Sequence, residues 1–208
     1  SQIDSDGERD LIKGDFQNFG FEIRWLKKYK ISKYNSVFLV GNKFYKSNNT
    51  SQQGPGSNSN GPEFNFRLDE YPNYSLQSNY NYPNENISFF TENIFYLNEK
   101  FSITPGARYE YIKTATDGSY KKINTDGAGN VILNLSIDSA ESRKRSFTLF
   151  GLGFSYKRSE KIEYYANISQ NYRSVTFADI SIINPAFSIN PNITDEKGFT
   201  ADFGLRGN

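Results

Sequence analysis

The chain has 208 residues with 24 basic and 23 acidic side chains, a formal net charge of +1, so it shows no electrostatic footprint for nucleic acid. It contains no Cys and no His, which removes disulfides, thiolate and imidazole metal sites, Cys nucleophiles and His general bases together. Mean hydropathy is −0.69 and no apolar run reaches the roughly 18 residues of a spanning helix, yet 15 Tyr, 18 Phe and 1 Trp are too many rings for a disordered chain.

Period-2 alternation predicts strands over 17–28, 33–46, 86–97, 101–113, 144–157, 161–173 and 198–207, with a weaker candidate inside 63–82. Helical periodicity of any length is missing. Lys28-Tyr29-Lys30-Ile31-Ser32, Asn98-Glu99-Lys100 and Arg158-Ser159-Glu160 read as tight turns, whereas 47–85, 114–143 and 174–197 read as long connections rich in Asn, Ser, Gly and Pro. The stretch from Ser47 to Gly61 has no aliphatic or aromatic residue, so it is expected to be mobile or ordered by a ligand, or else to be a linker. Matched strand pairs on both sides of it argue against the linker. Alternation of short and long connections is the pattern of an outer-membrane barrel, which needs one thin apolar outer face and keeps a polar interior.

The two faces of the four cleanest strands differ sharply. One carries Phe19, Phe21, Ile23 and Trp25, then the odd positions from Phe101 to Tyr111, the even positions from Ile162 to Tyr172, and Phe199, Ala201, Phe203 and Leu205. None of these 20 positions is charged. The opposite face holds Glu22, Arg24, Arg108, Glu110, Glu163, Arg173, Asp202 and Arg206, so 8 of its 19 positions are charged. An Arg or Lys at the midplane of a barrel's outer face costs about 2–4 kcal/mol, and this segregation is what a lipid-facing band requires. A β-sandwich would also alternate. Rings flanking the tight turns, Tyr29 with Tyr34, Tyr96 with Phe101 and Tyr156 with Tyr164, favour the barrel, whose interfaces carry aromatic girdles.

Several segments resemble a known family. Phe89-Phe90-Thr91-Glu92-Asn93-Ile94-Phe95 followed by Phe101-Ser102-Ile103-Thr104-Pro105-Gly106-Ala107-Arg108-Tyr109-Glu110-Tyr111 is similar to consecutive barrel strands of TonB-dependent outer-membrane receptors. Tyr164 to Arg173 resembles a further strand of that family, and Asn190 to Phe199 with Gly204-Leu205-Arg206-Gly207 resembles another. Phe19-Gly20-Phe21-Glu22 and Val40-Gly41-Asn42-Lys43-Phe44-Tyr45 look closest to its ferric-dicitrate-type branch. The resemblance implies an antiparallel transmembrane barrel of ~22 strands in the bacterial outer membrane. It also implies a plug domain, energisation by TonB through that plug, and uptake of a ferric chelate or another scarce small molecule. Residues 1–208 would supply about eight strands of that barrel, without the plug and the C-terminal strands.

Other motifs carry less. Gly151-Leu152-Gly153 reads as strand glycines, and Asp126-Gly127-Ala128-Gly129-Asn130 as a hairpin turn because the twelfth-position acid of a calcium loop is missing. Glu92 and Glu110 do not make an acid–base pair in a watery lumen, so neither an enzyme nor a cofactor is expected. The candidate ligand-binding residues are Arg108 and Arg173, which lie on the charged face, the second beside a long loop; the alternative is that both pair with carboxylates of the lumen or plug. Two rival architectures are a small eight-stranded outer-membrane barrel with a structural or adhesive role and a soluble glycan-binding sandwich.

Overall fold

The computed structural model describes residues 10–56, 65–66, 76–176, 190 and 192–207. They form β1 (Asp10–Ile31), β2 (Tyr34–Pro55), β3 (Ser78–Tyr96), β4 (Phe101–Thr125), β5 (Val131–Ser159), β6 (Ile162–Arg173) and β7 (Glu196–Gly207). All seven lie in one antiparallel sheet in chain order, each strand paired with its neighbours in sequence. The all-β antiparallel architecture is the one expected. Of the weaker candidate inside 63–82, residues 78–82 open β3, and most of the remainder lies outside the described residues.

Strand register joins the separate apolar sets into one surface. Phe21 stands opposite Phe44, Phe44 opposite Ile87, and Ile87 opposite Tyr111. Ile103 stands opposite Phe154, Phe154 opposite Ala166, and Ala166 opposite Phe203. Directly opposed residues share a face, so this apolar face runs unbroken from β1 to β7. Trp25 is 54% exposed and Phe203 89% exposed, so among the described residues no second layer covers it. A sandwich would bury such a face against another sheet, which sets that rival aside. Along β4 the band from Phe101 to Tyr111 is eleven residues, about ten strand steps or ~34 Å, and a tilt of ~45° projects it to ~24 Å, close to the apolar height of an outer-membrane barrel.

The sheet is open: among the described residues β1 and β7 do not pair with each other. A small closed barrel needs that pairing, so the small-barrel rival gains no support. At the chain-reversal ends, β1 and β2 are joined by Ser32 and Lys33 alone, with Ser32 at φ 56. The turn therefore falls later than the sequence suggested, because Tyr29, Lys30 and Ile31 still pair with Ser36, Asn35 and Tyr34. The Asn98 side-chain oxygen accepts from the amides of Lys100 and Phe101, both at 2.8 Å, and closes the next turn. Of the six turn-flanking rings, five stand on the apolar face. Tyr96 is the exception, because on β3 the odd residues face that way and Phe95 takes the outward place.

At the other end the strands run far past the apolar band. Ser47–Pro55 pairs with Asp10–Asn18, and 114–125 pairs with 131–143, closing in a short turn over 126–130. These stretches were expected to be loops. Asp126 accepts from the amides of Ala128 and Asn130 at 2.9 and 2.8 Å and from the Asn130 side chain, and these bonds hold its carboxyl below the ordinary value. Two gaps in the β3–β4 ladder coincide with Pro83 and Pro105, which have no N–H to donate. Beyond the band the polar face is packed: Tyr80 and Tyr82 stack at 5.8 Å, with Tyr80 only 2% exposed.

Candidate ligand-facing surface

The polar face has two arginine centres. In the first, Phe90 lies between two guanidinium groups, 5.9 Å from Arg24 and 5.6 Å from Arg108. The ring rests on Gly41, its direct partner on β2, where a Cβ would come within 2.3 Å of it. The same device recurs: Tyr80 covers Gly118, and Tyr165 covers Gly204 with the Arg206 guanidinium 5.1 Å above the ring. Such pairs let a large ring lie flat on a bare patch of backbone. Arg24 pairs with Glu22 and Arg108 with Glu110, while Asn86 donates to Glu110 at 2.8 Å and Arg108 to Ser88 at 3.2 Å. Glu110 is 7% exposed, with one carboxylate oxygen on Arg108 and the other on Asn86.

The second centre lies where β4 and β5 leave the band. Arg145 meets Asp195, from the segment before β7, at 2.9 Å, and donates to the Val175 carbonyl at 3.1 Å and to Thr114 at 3.3 Å. Asp195 also accepts from the Val175 amide at 2.8 Å and from the Tyr172 hydroxyl, whose ring stacks on Phe147. Burial works to raise the Asp195 carboxyl, but the bonds from Tyr172 and Val175 and the Arg145 charge together hold it below its ordinary value. Arg143 donates to Glu141 at 2.7 Å and to the Ile193 carbonyl at 2.9 Å. One cation thus ties the chain after β6 and the chain before β7 to the β4–β5 hairpin.

Of the two residues singled out by sequence, Arg108 belongs to the first centre, and Arg173 ends β6, where it pairs with Glu196 at 3.0 Å with both side chains mostly exposed. β5 stands between their strands, and the structure does not bring them together. Arg143 and Arg145 were missed because Arg143-Lys144-Arg145 reads as a solvated charge run. Strand parity separates it: the two arginines face the polar side and Lys144 the other. Anion recognition by charge-assisted bonds is what this surface can do. Among the described residues, no group of three or more acidic side chains converges as a metal site would.

A single twisted sheet with one lipid-compatible face and one ionic face is the wall of an outer-membrane-type barrel. A profile of the TonB-dependent receptor-like β-barrel family matches residues 3–208, and the chain belongs to that family, whose members are transport receptors of the bacterial outer membrane. Solved structures of iron-uptake receptors share the fold. The unliganded ferric citrate transporter FecA aligns with TM-score 0.68 and 15% identity over 95% of this chain and 26% of its own. The ferric-catecholate import receptor Fiu of E. coli K12 gives 0.67 and 13% over 93% and 29%, and the ferric yersiniabactin uptake receptor FyuA of Yersinia pestis gives 0.60 and 13% over 96% and 27%. The chain thus spans between a quarter and a third of the length of these receptors. Among curated protein sequences no relative matches.

Proposed function

We propose that residues 1–208 are a wall segment of a TonB-dependent receptor that takes up a ferric chelate or a similarly scarce nutrient, not an enzyme. TonB would act through a plug domain carried elsewhere in the receptor. The observation that carries this reading is the placement of the arginine centres: both lie on the polar face, and Arg145 of the second is tied to the Val175 carbonyl and to Asp195. An anionic chelate offers the oxygens that such guanidinium groups bind. The ferric complex titrated into the complete receptor should be ferric dicitrate, since one structural neighbour is a ferric citrate transporter. Arg108→Ala and Arg173→Ala are each expected to weaken binding by about 1.5–3 kcal/mol, the range for a charge-assisted bond. Unchanged affinity in both variants would remove them from the site and leave Arg143 and Arg145 as candidates. No binding of any ferric chelate by the unaltered receptor would refute the iron reading.

The same reading sets sidedness: the two-residue turn and its fellows should face the periplasm, and the long hairpins the exterior. Because the chain has no Cys, single substitutions label cleanly. In intact cells, Gly127→Cys, whose Cβ would meet nothing within 4 Å, should react with an impermeant maleimide. Glu99→Cys should react only after the outer membrane is permeabilised. Labelling of Glu99→Cys alone in intact cells would invert the strand directions.

A further inference from the structure

We infer that the outer rim of the apolar face, at Lys113 and Lys144, binds the phosphate of an outer-leaflet lipid headgroup. On this face Lys46, Glu85, Lys113 and Lys144 stand directly opposite one another in turn, one from each of β2, β3, β4 and β5. Glu85 lies between Lys46 and Lys113, so Lys144 opposes only another lysine. Like charges directly opposed across a strand pair are destabilising, and among the described residues no ion pair relieves this one. An anion from outside the chain would.

The next pair towards the membrane, Tyr111 with Ser146, adds a phenol and a hydroxyl on the same face. Below it Tyr109 opposes Thr148, and Phe150, 59% exposed, opens onto the apolar band. Two ammonium groups, two neutral donors and an acyl-compatible wall therefore follow in order from rim to bilayer, the sequence of a phosphorylated lipid read from headgroup to chain. The β5–β6 ladder ends at the Gly151–Ser169 pair, and beyond it the chain after β6 meets β5 through Gln170, which accepts from the Phe150 amide, and through Tyr172 on Phe147, not through Lys144, Ser146 or Thr148. A site on the lipid side differs from the ligand surface in face and in occupant. The inference rests on the sidedness proposed above, which the maleimide experiment tests separately.

The test measures lipid A binding to the complete receptor in neutral detergent, by native mass spectrometry, against the same lipid stripped of its phosphates. The unaltered receptor should prefer the phosphorylated form. Lys113→Gln with Lys144→Gln should cut its retention roughly tenfold or more. Lys113→Arg with Lys144→Arg should retain it, and Lys122→Gln, a change on the opposite face, should leave it unaltered. Equal retention by the Gln pair and the unaltered protein would overturn the inference. Displacement by inorganic phosphate at concentrations equal to the lipid would also overturn it, because the site would then hold an anion and not a lipid. Should the Gln pair fail to fold, loss of preference for phosphate in the Arg pair would count against the site equally. Since the assay is in detergent, its outcome does not depend on which side of the membrane the hairpins face.

Discussion

Arginine placed at Ala166 is expected to destabilise the complete barrel by about 2–4 kcal/mol in lipid, while arginine at the next residue, Asn167, should cost within about 0.5 kcal/mol. Ala166 stands between Phe154 and Phe203 near the middle of the apolar face, where a guanidinium has no water and no partner. Asn167 points to the polar side, opposite Asp202, where the new charge gains one. Urea unfolding of the barrel in lipid vesicles reads the difference. Equal costs at the two positions would mean that β6 does not separate lipid from lumen by parity, and the register-based faces would be wrong.

Gly41→Ala is expected to cost about 1–3 kcal/mol, as overpacking does, although it adds one methyl to a strand. The new Cβ would lie 2.3 Å from the Phe90 ring and 2.8 Å from the Ile23 carbonyl oxygen, one a side chain that must tilt and the other backbone that cannot. At Gly106 the nearest atom is 3.5 Å away, so Gly106→Ala should be close to neutral. Combining Gly41→Ala with Phe90→Ala should cost less than the two single changes summed, since the ring is gone. Phe90 also carries the Arg24 and Arg108 guanidinium groups, so Gly41→Ala should weaken ligand binding in step with stability. A harmless Gly41→Ala would show that the ring does not lie on the glycine.

The parts of the fold legible in the sequence are those where the two faces meet different solvents. From Phe101 to Tyr111, one face must be apolar and the other need not be, and the alternation writes the strand and its orientation directly. Beyond Lys113 and Lys46 both faces meet polar surroundings, and the signal vanishes although the hydrogen-bond ladder does not. Ser47 to Pro55 reads as loop by composition and yet is paired on both sides for most of its length. Family resemblance found the wall but not the latch: Asp195 and Arg145 are 50 residues apart, and only the approach of the chain before β7 to β5 joins them. The place of Arg108 on the polar face was legible because it lies inside the alternating band. Glycines beneath rings were not, since a glycine in a strand gives no hint of which aromatic covers it.

Sheet order that equals chain order bears on how such a wall is built. Each described strand meets its neighbour through a hairpin or a single connection, so every pairing closes only the chain between adjacent strands. Loop closure of this kind costs little entropy, and folding slows mainly with contacts distant in sequence. The wall can therefore grow one hairpin at a time, each arriving pair using the previous edge as its template. In the complete barrel the late, slow event is then the meeting of edges far apart along the polypeptide.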